Sequence, residues 1–235
     1  MKILLLIILI ILTAYILYIH PFKKASRASK TIEKNTIAYE QLPENVVKTI
    51  LVLGDSTAVG TGASNSEDSI AGRLGKDFPN AAIQNVSENG LKINGLNKII
   101  KDLPDKKYDL LVIQIGANDI TFFSSKKEVG ENLDSILKFA NEYSDKALVL
   151  TSGDIGSSPV FNFPISYLYT KRTKSIQSIF RNKIKKYDSV DYVELFTKEN
   201  NDLFNDNPQK YYAEDYFHPS SEGYGVWYKS LKTYL

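Results

Sequence analysis

Short apolar runs recur along the chain and are separated by longer amphipathic segments. The runs at 49–53 and 108–115 consist largely of aliphatic residues, which is typical of strands buried on both faces of a parallel sheet. The full pattern predicts strands over about 48–54, 81–86, 108–115, 147–151 and 190–195.

The segments between these strands carry apolar residues at helical spacing. They predict helices over about 68–78, 92–102, 126–143, 171–187 and 220–234. Strands that alternate with helices specify a parallel sheet with helices on both faces. We therefore predict an α/β fold, a three-layer α/β/α sandwich with a flavodoxin-like doubly wound sheet of about five parallel strands.

The N-terminal segment Ile3–Ile19 is apolar, with Thr13 as its clearly polar residue. As a helix it would span roughly 26 Å, close to a bilayer core of about 30 Å. A cleaved signal peptide and an uncleaved anchor are the two interpretations. The length of the run and the poor cleavage site at 26–28 favour the anchor. Basic residues at 23, 24 and 27 follow the run, and the positive-inside rule would then keep the rest of the chain in the cytoplasm.

Three parts of the chain follow from this pattern. Residues 1–20 form the membrane anchor or signal segment. Residues 21–47 are polar and of mixed charge, so we predict a polar tether there. Residues 48–235 form one domain, which is the default for this length.

Composition excludes several classes of site. The chain has no cysteine and two histidines, which rules out disulfides and thiolate metal sites and makes a histidine-rich metal site improbable. Four basic residues and no acidic ones lie within 1–28, so the net charge of +2 leaves −2 for the remainder. A mildly acidic domain argues against nucleic-acid binding. We predict no cofactor, no metal and no nucleic-acid partner.

Two separated motifs carry candidate chemistry. Ser56 follows the first strand in a Gly-Asp-Ser turn, at the sheet edge where open α/β sheets bind ligands. Asp215 and His218 lie three residues apart near the end of the chain, and the other histidine is His20 in the N-terminal segment. Serine attack on an ester needs a base and a carboxylate that orients it. Ser56, His218 and Asp215 can fill these roles.

Donors for an oxyanion are also needed. Asn118 comes directly after the third strand and is predicted to share the sheet edge with Ser56. Gly90 follows the second strand, where a bare backbone N–H can approach a ligand closely. Taken singly, each of these residues has a more probable structural role, as a helix cap or a turn residue. Their joint occurrence at one sheet edge favours catalysis.

Nucleotide binding explains the glycines less well. The Gly54–Gly62 segment lacks the Gly-Lys-Ser/Thr end of a P-loop and the third glycine of a dinucleotide fingerprint. A receiver-like domain with Asp55 as phosphoacceptor fits five strands but leaves Ser56, Asn118 and His218 without a role.

Four ordered blocks resemble the SGNH (GDSL-type) hydrolase family of esterases and lipases. They are the turn at 54–56, Gly90, the Gly-Ala-Asn-Asp segment at 116–119, and the Asp-x-x-His segment at 215–218. The resemblance implies Ser56 as nucleophile and an oxyanion hole built from the Ser56 and Gly90 backbone N–H groups and the Asn118 side chain. The second block is more polar than in the family, so Asn89 is a rival donor to Gly90.

The resemblance implies a serine esterase that forms an acyl-enzyme on Ser56, and it points to export, with the domain periplasmic or at the cell surface. An anchor and an apolar loop favour a small-molecule acyl-lipid ester or thioester, of lysophospholipase, thioesterase or arylesterase type. The alternatives are an O-acetyl esterase or acyltransferase acting on an envelope polysaccharide and, from another class, an inactive ligand-binding module. Secretion after cleavage and a cytoplasm-facing domain also stay open.

Several residues near these motifs have other expected roles. Asp55 and Asp119 are predicted to fix loops through hydrogen bonds, and Tyr216 and Phe217 to pack in the core. Asp154 has no predicted role. The aromatic stretch 160–169 is predicted as a long loop that lines an acyl pocket, faces a membrane or packs as a satellite cluster.

Overall fold

A single sheet of five parallel strands forms the centre of the computed structural model, which describes residues 2–235 apart from the side chains of residues 2, 3 and 10. The strands are β1 (Lys48–Gly54), β2 (Ala81–Asn85), β3 (Leu110–Gln114), β4 (Ala147–Leu150) and β5 (Val190–Val193). Their spatial order is β2-β1-β3-β4-β5. The predicted fold class and flavodoxin-like strand order are confirmed.

Helices connect the strands. Within the described residues they are α1 (Lys2–Ala14), α2 (His20–Asn35), α3 (Ser56–Val59), α4 (Ile70–Asp77), α5 (Ile93–Lys101), α6 (Ala117–Thr121), α7 (Lys126–Tyr143), α8 (Ile165–Ile184), α9 (Lys198–Asp206), α10 (Pro208–Tyr211) and α11 (Ser221–Lys232).

Alternate strand residues build two cores, one on each face of the sheet. In β1, Leu51 and Leu53 pack with α5, α7 and α8, while Ile50 and Val52 pack with α4 and α11. All four side chains are buried. Successive residues of a strand point to opposite faces of the sheet. Because helices cover both faces here, most strand residues are buried, and the central strands are nearly continuous apolar runs in the sequence.

The carboxyl ends of β1 and β3 lie side by side, with Gly54 paired to Gln114. A Cβ on Gly54 would lie 1.8 Å from the Gln114 carbonyl oxygen, so only glycine fits there. The next backbone N–H, that of Asp55, donates to the same oxygen at 2.9 Å. This close approach holds the loops after β1 and β3 against each other.

The N-terminal segment departs from the prediction. After α1 a π-helical segment, Tyr15–Ile19, leads without a break into α2. The stretch Leu4–Asn35 is long and apolar enough to cross a membrane, with a mean hydropathy of 2.4 in its most apolar window. Within the predicted polar tether over 21–47, residues up to 35 are helical, and α2 packs against the core of the sheet domain through Ala25.

Two other boundaries differ from the prediction. Helix α8 begins at Ile165 rather than near 171, directly after Pro164, so the second half of the aromatic stretch is helical rather than loop. Proline just before the first helical turn is compatible with a helix start because the N–H it lacks has no intrahelical acceptor there. Helices α9 and α10 occupy a segment for which no element was predicted.

Candidate active site

Ser56 is the first residue of α3, directly beyond β1. Asp55 caps this short helix: its Oδ1 accepts hydrogen bonds from the backbone N–H and hydroxyl of Thr57, at 2.9 and 2.7 Å. The strand-to-helix turn presents Ser56 at the carboxyl edge of the sheet, as predicted. Its own N–H has no intrahelical acceptor, because it belongs to the first turn.

Ser56, His218 and Asp215 form a continuous hydrogen-bonded chain. Ser56 Oγ lies 2.8 Å from His218 Nε2, and His218 Nδ1 lies 2.6 Å from Asp215 Oδ2. All three side chains are buried. The geometry matches a nucleophile, a base and an orienting carboxylate.

Four donors hold the Asp215 carboxylate. Oδ1 accepts the backbone N–H groups of Phe217 and His218, both at 2.9 Å. Oδ2 accepts the His218 ring and the hydroxyl of Ser29, the latter at 2.7 Å. Burial acts to raise the pKa of Asp215, but the hydrogen bonds and charge of His218, with the Ser29 and Phe217 donors, outweigh it and lower that pKa below its ordinary value. The carboxylate is therefore ionised at neutral pH.

Ser29 was not predicted from the sequence. It lies in α2, within the segment expected to be a tether, 186 positions from Asp215. The available signal was the spacing of small and apolar residues at 25, 28, 29, 32 and 36, which forms one stripe on a helix.

The candidate oxyanion donors lie beside Ser56. Asn118, in α6, donates one amide hydrogen to the Leu91 carbonyl at 3.0 Å, which orients the side chain and leaves its second hydrogen for a ligand. Gly90 has φ +76° and open space in front of it. Asn89, its rival, accepts the Thr61 hydroxyl at 2.7 Å. The Asn89 amide donates to the Glu33 carbonyl at 3.5 Å. Gly90 rather than Asn89 lines the cavity beside Ser56 and Asn118, which favours Gly90 as the donor.

Two cavities meet at Ser56. The outer cavity, of about 200 Å³, lies beneath α2 and is bounded by Ser56, Gly90, Asn118 and His218. Its apolar wall consists of Phe22, Phe122, Val160 and Phe217. The inner cavity, of about 40 Å³, lies on the other side of Ser56. Its apolar wall includes Ile155, Leu195, Phe204, Tyr212 and Trp227.

Three acids near the site have structural roles: Asp55 and Asp119 are buried, and Asp154 is half-buried. Asp119 accepts the Ile93 backbone N–H at 2.9 Å and so holds the segment that follows Gly90. Asp154 accepts the Gly156 N–H and the Thr170 hydroxyl, at 2.9 and 2.7 Å, which ties the loop after β4 to α8. Burial raises the pKa of both, and it raises the pKa of Asp55 to about 6. These contacts agree with the loop-fixing roles expected of Asp55 and Asp119.

Of the two aromatic residues beside the histidine, Phe217 packs against the core as expected and Tyr216 does not. Phe217 packs edge-on against the His218 ring, at 5.5 Å between centroids, and lines both cavities. The prediction of core packing is wrong for Tyr216, which is exposed. It has φ +55°, a strained conformation for a side chain of this size, and its carbonyl accepts the Ser158 hydroxyl at 2.7 Å. Strain of this kind clusters at functional sites.

Across residues 2–235, no group of three or more His, Cys, Asp or Glu side chains is arranged to hold a metal ion.

Comparison with known proteins identifies relatives of this domain. A model of the GDSL-like lipase/acylhydrolase family matches residues 52–226. Among curated proteins, no sequence matches this chain.

Several solved structures share the fold. A G-D-S-L family lipolytic protein from Veillonella parvula DSM 2008 has a TM-score of 0.60 and 15% identity, over 79% of this chain and 96% of that one. TesA has a TM-score of 0.62 and 19% identity, over 79% and 97%. A catalytic mutant of an acetylxylan esterase from Geobacillus stearothermophilus has a TM-score of 0.57 and 16% identity, over 82% and 95%.

Proposed function

Because this chain belongs to the GDSL-like lipase/acylhydrolase family and is an ester-hydrolysing enzyme, we propose that it acts through an acyl-enzyme on Ser56. The observation that carries this assignment is the unbroken relay of 2.8 and 2.6 Å contacts from Ser56 through His218 to Asp215. Covalent labelling of Ser56 by a fluorophosphonate would exclude an inactive binding module.

The mechanism follows from the relay. Ser56 Oγ attacks the ester carbonyl carbon while His218 Nε2 takes its proton, and ionised Asp215 stabilises the imidazolium through Nδ1. The imidazolium then protonates the leaving alcohol as the carbon–oxygen bond breaks. Water repeats the sequence on the acyl-enzyme, releasing the acid and restoring Ser56.

Charge that develops on the carbonyl oxygen needs donors already in place. We assign this role to the backbone N–H groups of Ser56 and Gly90 and to the free amide hydrogen of Asn118. All three residues border the outer cavity, so the scissile carbonyl would lie there.

We propose an acyl-lipid ester as the substrate class. The outer cavity has an apolar wall, and one side of it is α2, which continues directly from the apolar N-terminal helix. Beside that helix lies an exposed apolar rim of Phe163, Tyr167 and Leu168, exposed by 76, 57 and 48%. Exposed apolar patches of this kind mark contact with membranes or partners.

Contacts tie the rim to the apolar helix. The Tyr18 hydroxyl donates to the Phe163 carbonyl and the Asn162 amide donates to the Leu17 carbonyl, both at 2.9 Å. We infer that the N-terminal helix stays attached and crosses a membrane, with the rim at the bilayer surface. An extracytoplasmic domain remains our prediction, and protease accessibility on intact cells tests it.

An acetyl esterase is the second candidate, and the inner cavity favours it. At about 40 Å³ it holds roughly three water-sized groups, which is the size of an acetyl group. An enzyme that places its acyl chain there would reject long chains.

The deciding assay measures hydrolysis of p-nitrophenyl esters from acetyl to palmitoyl by the full chain in detergent. Ser56→Ala should abolish activity and labelling by a fluorophosphonate, while Ser64→Ala, an exposed serine nearby, should change neither. Rates that rise beyond about eight carbons support the lipid substrate; rates confined to acetyl and propionyl support the acetyl esterase. Full activity in Ser56→Ala would disprove the acyl-enzyme.

A further inference from the structure

Helix α2 lies over the candidate site rather than leading away from it. Its half-buried residues follow a helical stripe through Ala25, Ser29 and Ile32, while charged residues such as Arg27 and Lys34 are exposed. Small side chains along this stripe allow the helix backbone to approach the domain closely. The stripe of small residues on α2 is therefore a surface that packs against the sheet domain, although it carries few large apolar side chains.

Contacts secure the helix along its length. Phe22 packs against Phe161, at 6.3 Å between ring centroids, and Ala25 packs against the core on the α5–α8 face of the sheet. Near its amino end, residues 17 and 18 make the two hydrogen bonds to the 162–163 segment described above. The helix is docked over more than a single turn.

Ser29 is the point at which α2 meets the relay. Its hydroxyl donates to Asp215 Oδ2, the same oxygen that receives the His218 ring. The other donors to this carboxylate come from Phe217 and His218 in its own loop. Ser29 thus supplies a contact from another part of the fold, which ties the carboxylate to α2.

We propose that Ser29 is a positioning residue of the Ser56–His218–Asp215 relay, and that α2 forms a wall of the substrate-binding cavity. The active site is complete only when the N-terminal helix is docked. This inference rests on the proposed catalytic role of the relay. Physically, the hydroxyl stabilises the ionised carboxylate and holds Oδ2 in line with His218 Nδ1, so that the histidine keeps the orientation needed to accept the Ser56 proton.

Ser29→Ala in the full chain, purified in detergent, tests the role of the hydroxyl. A hydrogen bond to a charged group is among the stronger ones in proteins, so we expect kcat to fall about 10-fold with KM nearly unchanged. Ser29→Thr keeps a hydroxyl and should restore most of kcat. Thr31→Ala removes a hydroxyl from the exposed face of the same helix and should match the wild type.

A double-mutant cycle separates positioning from simple loss of helix packing. If Ser29 acts through Asp215, adding Ser29→Ala to Asp215→Ala should lower the remaining activity by less than twofold. An equal 10-fold loss in both backgrounds, or wild-type kcat in Ser29→Ala, would overturn the proposal. Ser56→Ala tests the catalytic role of the relay separately from the positioning role of Ser29. If Ser56→Ala is inactive while Ser29→Ala keeps wild-type activity, only the proposed role of Ser29 is wrong.

Discussion

Removing the amide of Asn118 should reduce catalysis far more than stability. The amide uses one hydrogen to bond Leu91 and has a second hydrogen available beside Ser56. Asn118→Ala deletes both. In the resting enzyme the change removes one hydrogen bond to a backbone carbonyl, which costs about 1 kcal/mol of folding free energy.

Asn118→Ala removes more stabilisation from the transition state than from the folded resting enzyme. A preorganised donor to an oxyanion in a half-buried site contributes about 2.7–4 kcal/mol, which corresponds to a factor of roughly 10²–10³ in kcat. Since the contact strengthens only as charge develops, KM should change little. The expected loss of activity is therefore much too large to come from unfolding of a domain with an ordinary stability of about 5–15 kcal/mol.

The assay is steady-state hydrolysis of a p-nitrophenyl ester, with thermal unfolding measured on the same preparation. Asn97→Ala is the matched control, because Asn97 is also a half-buried amide on a helix but bonds Asn132 away from the site. It should lose about as much stability as Asn118→Ala and keep its activity. A folded Asn118→Ala enzyme with kcat within fivefold of the wild type would refute the oxyanion assignment.

Three further changes test the pH dependence, the core and the membrane surface. Burial raises the pKa of Asp55 to about 6, so its contribution to stability is present at low pH and is lost as pH rises through 6. In urea unfolding, the free energy of unfolding of Asp55→Asn relative to that of the wild type should rise by about 2 kcal/mol between pH 4 and pH 7, because only the wild type has a carboxyl group to ionise. A difference that stays constant with pH would contradict the raised pKa. Leu133→Ala empties a fully buried position in α7 and should cost about 3 kcal/mol by chemical unfolding; a loss below 1 kcal/mol would show that the site collapses around the gap. Phe163→Ser with Leu168→Ser should lower hydrolysis of vesicle-borne esters several-fold and spare p-nitrophenyl acetate, and equal losses on both would argue against membrane contact by the rim.

Much of the sheet could be predicted because its strands carry their own signal. β1 and β3 are buried on both faces and read as aliphatic runs, and residues directly after parallel strands must meet at one edge. That rule placed Ser56 and Asn118 together from their sequence positions alone. The contacts between Ser56, His218 and Asp215 are those expected of a catalytic relay, while their catalytic roles stay predictions that the variants above test.

The N-terminal docking could not be predicted in the same way. Helix α2 is highly charged on one side and carries small residues such as Ala25 and Ser29 on the other, so it lacks the large apolar side chains by which sequence patterns reveal a buried face. The early start of α8 was missed because Pro164, read as a loop residue, lies just before its first turn. Tyr216 was assigned to the core from its residue type, yet its backbone conformation is set by the turn that aims Asp215 at His218.

The unbroken helix from the apolar segment to Ser29 limits the distance between the membrane surface and the active site. Eleven residues separate Tyr18, near the end of the apolar run, from Ser29, and an α-helical rise of 1.5 Å per residue makes this about 16 Å. If the apolar run crosses a bilayer, the domain cannot swing outward on a slack linker, and Ser29, which contacts the relay through Asp215, stays within about this distance of the lipid headgroups. Ester bonds carried at the membrane surface lie within reach, whereas those on polymers held farther from the bilayer do not. Hydrolysis of such a distant polymer by the membrane-inserted enzyme would show that the helix does not hold the domain at this distance.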